Sequence, residues 1–115
     1  MRMYGFLKEP YIMNKSDMVY KVMIHDMKKH GTMVYLYTGL EAMFCSCDCY
    51  YPDLESALDD WTEQLDGRGW IHIEDPLPDC QHDAFLPIRV KGREIGSPQW
   101  GKFEIYENGM WKDYE

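Results

Sequence analysis

Pro52-Asp-Leu-Glu-Ser-Ala-Leu-Asp-Asp-Trp-Thr-Glu-Gln-Leu-Asp66 is the stretch on which the reading of this chain turns. Leu54, Leu58, Trp61 and Leu65 recur at i, i+4, i+7 and i+11, with Ala57 between them, which is one face of an α-helix. Pro52 suits the first helical position, where its missing N–H costs nothing, and Gly67 supplies a C-terminal stop. The periodicity predicts a helix over residues 52–66.

Everything around that helix reads as strand. Upstream, Met18 to His25 alternates, with Met18, Tyr20, Val22 and Ile24 on one face and Val19, Lys21, Met23 and His25 on the other. Thr32 to Tyr37 and Glu41 to Tyr50 read as two further strands of an antiparallel meander. Downstream, Trp70 to Glu74 is a strand, and Pro76 and Pro78 make residues 75–83 a loop. Phe85 to Val90 is a strand whose Pro87 argues for an edge or a bulge. Lys102 to Glu107 and Met110 to Tyr114 flank Asn108-Gly109, the strongest short hairpin signal in the chain.

The expected fold is therefore α+β, an antiparallel sheet of about six strands packed on one main helix, in an order close to βββ-α-ββββ. Residues 1–17, interrupted by Gly5 and Pro10, read as an N-terminal arm or edge strand, with Met13 as an internal start. Residues 18–115 read as one domain, the size that 115 residues supports. One helix covers only one face of such a sheet, so the second face is expected to lie open or to meet a partner, a homodimer included.

Composition narrows the function classes. A hydrophobic fraction of 45% provides one core, and 28% charged residues is near the globular norm of about 25%, so the chain is not a disordered one. Twenty acidic residues against twelve basic ones give a net charge of −8, a field that repels phosphate backbones and argues against nucleic-acid binding. Residues 1–10 hold no apolar run of signal-peptide type, and no stretch approaches the ~18 apolar residues of a membrane span. Cys45, Cys47 and Cys49 alternate too closely for easy disulfides, so free thiols in a cytoplasmic setting are expected.

Three constellations carry candidate chemistry. The first is the charge of the helix. Asp53, Glu55, Asp59, Asp60, Glu63 and Asp66 are accompanied by no Lys or Arg between residues 53 and 66. Glu55–Asp59 and Asp59–Glu63 are like-charge i,i+4 pairs, each unfavourable by about 0.2–0.5 kcal/mol. Stability alone does not select this arrangement. A carboxylate face of Glu55, Asp59, Asp60, Glu63 and Asp66 suits docking onto a basic protein surface, such as the active site of a nucleic-acid-cleaving enzyme. On that basis the chain reads as a non-enzymatic, inhibitor- or immunity-like module from a bacterial or phage setting.

The second constellation is Cys45, Cys47, Cys49, Cys80 and His82. In a tight loop the first three thiolates converge, and Cys80 or His82 completes a tetrahedral zinc site. On a strand, Cys45 and Cys49 stand about 13 Å apart, too far to share one metal. No cofactor is expected; zinc is the alternative. Cys49, three residues before Pro52, is also placed for activation by a helix N-terminus. The third constellation is an enzyme site around His72 and Glu74, with His25 as a further base. His72-Ile-Glu74 and Pro78-Asp-Cys80 do not complete the P-C-x-x-C half of a zinc deaminase signature. Phosphate-loop, nucleophile-elbow and H-E-x-x-H patterns are absent. Arg89, Lys91, Arg93 and Lys102 gather near Trp100, a strip that suits RNA or an acidic peptide, but with this net charge its expected role is to pair with the chain's own acidic helix.

Overall fold

Backbone hydrogen bonding, taken from a computed structural model that describes residues 1–13 and 17–114, sorts the strands into two sheets. The class is α+β, as the patterning predicts. The described residues hold eight strands, divided five and three, where the sequence suggests about six in one sheet. They form two compact units, Met1–Glu74 and Asp75–Glu115.

The first unit contains β1 (Arg2–Ile12), β2 (Met18–Asp26), β3 (Thr32–Tyr37), β4 (Cys47–Tyr51), α1 (Leu54–Trp61) and β5 (Ile71–Ile73). The sheet order is β4-β3-β2-β1-β5, antiparallel throughout. β1 lies between β2 and β5, so the segment read as an arm or edge strand is an interior strand along Arg2–Tyr4. Gly5 conceals this from a local reading: it interrupts the apolar pattern because its place is filled by Leu65. A Cβ at Gly5 would stand 2.6 Å from Leu65 Cδ2.

One face of the sheet packs on α1. The rows Met3–Ile24–Val34–Cys49 and Gly5–Val22–Leu36–Cys47 run across the strands, and Ala57, Trp61 and Leu65 close the core over them. The alternation predicted for β2 holds from Lys21 to His25. The β1–β2 register then shifts between Phe6 and Tyr11, and Val19 turns into the same core as Val22. The opposite face also carries buried side chains, among them Met23 and Tyr37 at 0% exposure.

Boundaries differ from the sequence reading where long-range bonds compete with local pattern. The predicted third strand over 41–50 shortens to Cys47–Tyr51, because the ladder with β3 begins at Leu36↔Cys47. Ahead of it the buried Lys21 Nζ donates to the carbonyls of Leu40 (2.8 Å) and Ala42 (3.2 Å), holding that stretch as a loop. The helix begins later than Pro52, since Asp53 is the N-cap and accepts a bond from Ser56 N at 2.8 Å. It ends earlier as well. Thr62–Gln64 tightens to a 3-10 turn, and the extended Leu65–Asp66 pairs with β1 through Leu7↔Leu65 and Asp66 N to Phe6 O at 2.8 Å.

The second unit is a meander of β6 (Ile88–Val90), β7 (Phe103–Glu107) and β8 (Met110–Tyr114). β6 is an edge strand, consistent with Pro87 just before it. Asn108 and Gly109 both adopt left-handed backbone (φ 53° and 80°), the requirement of the type I′ hairpin that their sequence predicts.

Candidate functional site

The acidic segment divides into engaged and unengaged carboxylates. Asp53 is consumed by the cap. Asp60 accepts the Tyr51 hydroxyl at 2.7 Å, and that hydroxyl in turn accepts Trp61 Nε1 at 3.1 Å. Asp66 is held by Arg68 at 2.6 Å, with the Arg68 guanidinium stacked 3.8 Å from the Phe6 ring centre. These hydrogen bonds hold the Asp53 and Asp66 carboxyls below the usual carboxylate range. Glu55, Asp59 and Glu63 are exposed, and among the described residues no cation or hydrogen-bond donor engages them. Their i, i+4, i+8 spacing predicts a common line, although Glu63 lies in the 3-10 turn beyond α1. Of the five carboxylates read as a partner-binding face, three remain free for a partner.

Most cationic residues of the second unit have a partner within it. Arg89 contacts Glu94 (3.0 Å) and Glu104 (3.1 Å), and stacks 3.7 Å from the Trp111 ring centre. Lys91 bonds Asp113 at 2.9 Å, and Arg93 donates to Gln81 Oε1 at 2.9 Å. Arg89 and Lys91 thus pair with carboxylates of their own unit and not with those of the helix, whereas Arg93 meets an amide oxygen.

The cysteines are four free thiols. Cys47 and Cys49 lie on β4 and pack at the margin of the α1 core, Cys45 precedes the strand, and Cys80 is buried. Among the described residues no three His, Cys, Asp or Glu side chains gather as a metal-binding group, so Cys45, Cys47, Cys49, Cys80 and His82 are not brought together as one. Burial pushes the Cys49 thiol up, and the neighbouring Cys47 and Asp48 push it further. A nucleophilic thiol needs the opposite direction.

The register separates the histidines of the third constellation. His72 pairs with Met3, on the α1 side of the sheet, whereas His25 pairs with Arg2, on the other side. His72 and Glu74 are exposed, and no hydrogen bond joins them. The Glu74 backbone carbonyl instead accepts Arg2 Nε at 2.8 Å.

Sequence reading misses a shallow hollow of about 330 Å³ formed by β1 and the helical turn, lined by Lys8–Ile12 with Glu63 and Gln64. Tyr11 there makes an edge contact with Trp61 at 5.6 Å. The Leu7↔Leu65 bridge and the bond from Asp66 N to Phe6 O bring these segments together, and nothing local signals them. No helix among the described residues is long and apolar enough to cross a membrane. No family model, curated protein or solved structure matches this chain.

Proposed function

We propose that this chain is a non-enzymatic protein-binding module, inhibitor- or immunity-like, that docks a basic partner surface through Glu55, Asp59 and Glu63. A cytoplasmic setting accords with the four free thiols. The observation that carries the reading is a contrast within the chain. Asp26, Asp66, Glu94, Glu104, Glu107 and Asp113 each have a lysine or arginine partner, whereas Glu55, Asp59 and Glu63 have none among the described residues and, unlike the scattered Glu9 and Asp48, are spaced at i, i+4 and i+8. Retaining repelling neighbours costs a few tenths of a kcal/mol per pair. A partner whose cations fill the line reverses that cost and accelerates encounter.

The test is affinity capture with the wild type and with Glu55→Lys/Asp59→Lys/Glu63→Lys, each at low and high salt. A partner held by the wild type is expected to be lost both on charge reversal and on raising salt. A partner retained equally under all conditions would overturn the reading.

A further inference from the structure

Two surface features outside the Glu55–Asp59 ridge are opposite in shape and in charge. The first is the hollow of about 330 Å³ walled by Lys8–Ile12 and Glu63. Its size lies within the range of about 300–1,000 Å³ usual for binding pockets. Ile12 is 67% exposed at its wall, and Glu9 and Glu63 outnumber Lys8 in charge. Pro10 removes a backbone donor from β1 here, which disfavours an added strand and leaves recognition to side chains.

The second feature is a knob between β6 and β7. Lys91 N to Lys102 O and Gln99 N to Lys91 O, both 2.8 Å, close the loop at its base, and Ser97 N to Gly92 O (3.0 Å) closes it again at the tip. Gly92 must be glycine, since its φ is 83° and a Cβ there would collide with the Ser97 carbonyl. On this braced frame Ile95 and Trp100 are 77% and 75% exposed, the most exposed large apolar side chains among the described residues. Arg93 and Lys102 flank them with no carboxylate in ion-pair contact among the described residues. A rigidly presented tryptophan beside cations has the character of an interface anchor, with little ordering entropy left to lose.

We propose that the Ile95/Trp100 knob of one chain seats in the Lys8–Ile12 hollow of a second copy, with Arg93 and Lys102 meeting Glu9 and Glu63. Apolar surface then meets apolar surface and cations meet carboxylates, whereas two knobs or two hollows face to face would oppose like charges. The contact is head-to-tail, so each chain keeps one unused knob or hollow unless the assembly closes on itself. Glu63 belongs to both surfaces, whereas Glu55 and Asp59 lie outside this one; capture of a basic partner by Trp100→Ala, which keeps all three carboxylates, therefore separates a failure of this contact from a failure of the partner-docking reading.

Sedimentation velocity of the full chain at rising concentration tests the contact. The wild type is expected to sediment faster than a monomer as concentration rises. Trp100→Ala, which empties the knob, and Ile12→Lys/Glu63→Lys, which blocks the hollow, should each weaken association by more than about tenfold. All three positions are exposed, so both variants should keep the wild-type circular dichroism. Mixing the two variants joins one intact knob to one intact hollow and should restore a one-to-one dimer and nothing larger. A wild type that stays monomeric, variants that associate unchanged, or a mixture that yields no dimer would each overturn the proposal.

Discussion

Tyr51 links β4 to α1 through one oxygen that both donates and accepts. Its hydroxyl donates to Asp60 and accepts from Trp61 Nε1, and burial, with the Asp60 bond second, pushes its pKa up to about 12. The direction fixes the pH dependence. The unfolded chain ionises this phenol near its ordinary 10.0, before the folded chain does. The associated stability is complete below that pH and is lost as pH rises through the window up to about 12. Denaturant midpoints measured across the alkaline range should fall there, and phenolate absorbance should include a late-ionising contribution from Tyr51. Tyr51→Phe removes that contribution and leaves Trp61 Nε1 without its acceptor, at a cost of about 1 kcal/mol.

At the scale of elements, the join between β1 and the end of the helical segment makes two predictions. Gly5→Ala forces a methyl group into the Leu65 side chain and should destabilise the fold by about 1–3 kcal/mol, read from chemical denaturation. Leu65→Ala alone leaves a cavity and should cost about 2–5 kcal/mol. The double variant should be less destabilised than the two combined, because the new methyl occupies part of the vacated space. The second prediction concerns a chain begun at Met13. It lacks β1, so the facing edges of β2 and β5 lose their shared neighbour. Such a chain should show no cooperative thermal transition, whereas loss of a loosely held arm would leave the transition in place.

Over the whole molecule, twenty acids set the response to low pH. Asp26, Asp53 and Asp66 all sit below the ordinary carboxyl value, each chiefly through hydrogen bonds, from the backbone N–H of Lys28 and Ser56 and from the Arg68 side chain. Their contribution is present above pH 3.8, where the unfolded carboxyls are already ionised, and is lost as pH falls through the lower folded-state values. Denaturant midpoints should therefore drop on acidification. Asp26→Asn should flatten that drop, because it removes the one of the three that is largely buried.

Much of this architecture is local and therefore legible in the chain. Helical periodicity needs only the side chains along one segment, so Leu54, Ala57, Leu58 and Trp61 define the inward stripe of α1, although Leu65, the next residue of that period, reaches the same core from extended backbone. Asn108-Gly109 likewise defines its hairpin, since few other pairs accept two left-handed residues in succession. What the chain does not carry locally is the choice of partner across space. β1 became an interior strand because β2 and β5 both pair with it, and Gly5, a break in the one-dimensional pattern, is the space that Leu65 fills. Asp60 and Asp66 were withdrawn from the acidic face by Tyr51 and Arg68, residues outside the periodic segment. The hollow beside Glu63 exists only where β1 meets the end of the helical turn. Pairings of this kind depend on which surfaces bury one another, and that is settled only when the long-range ladders close.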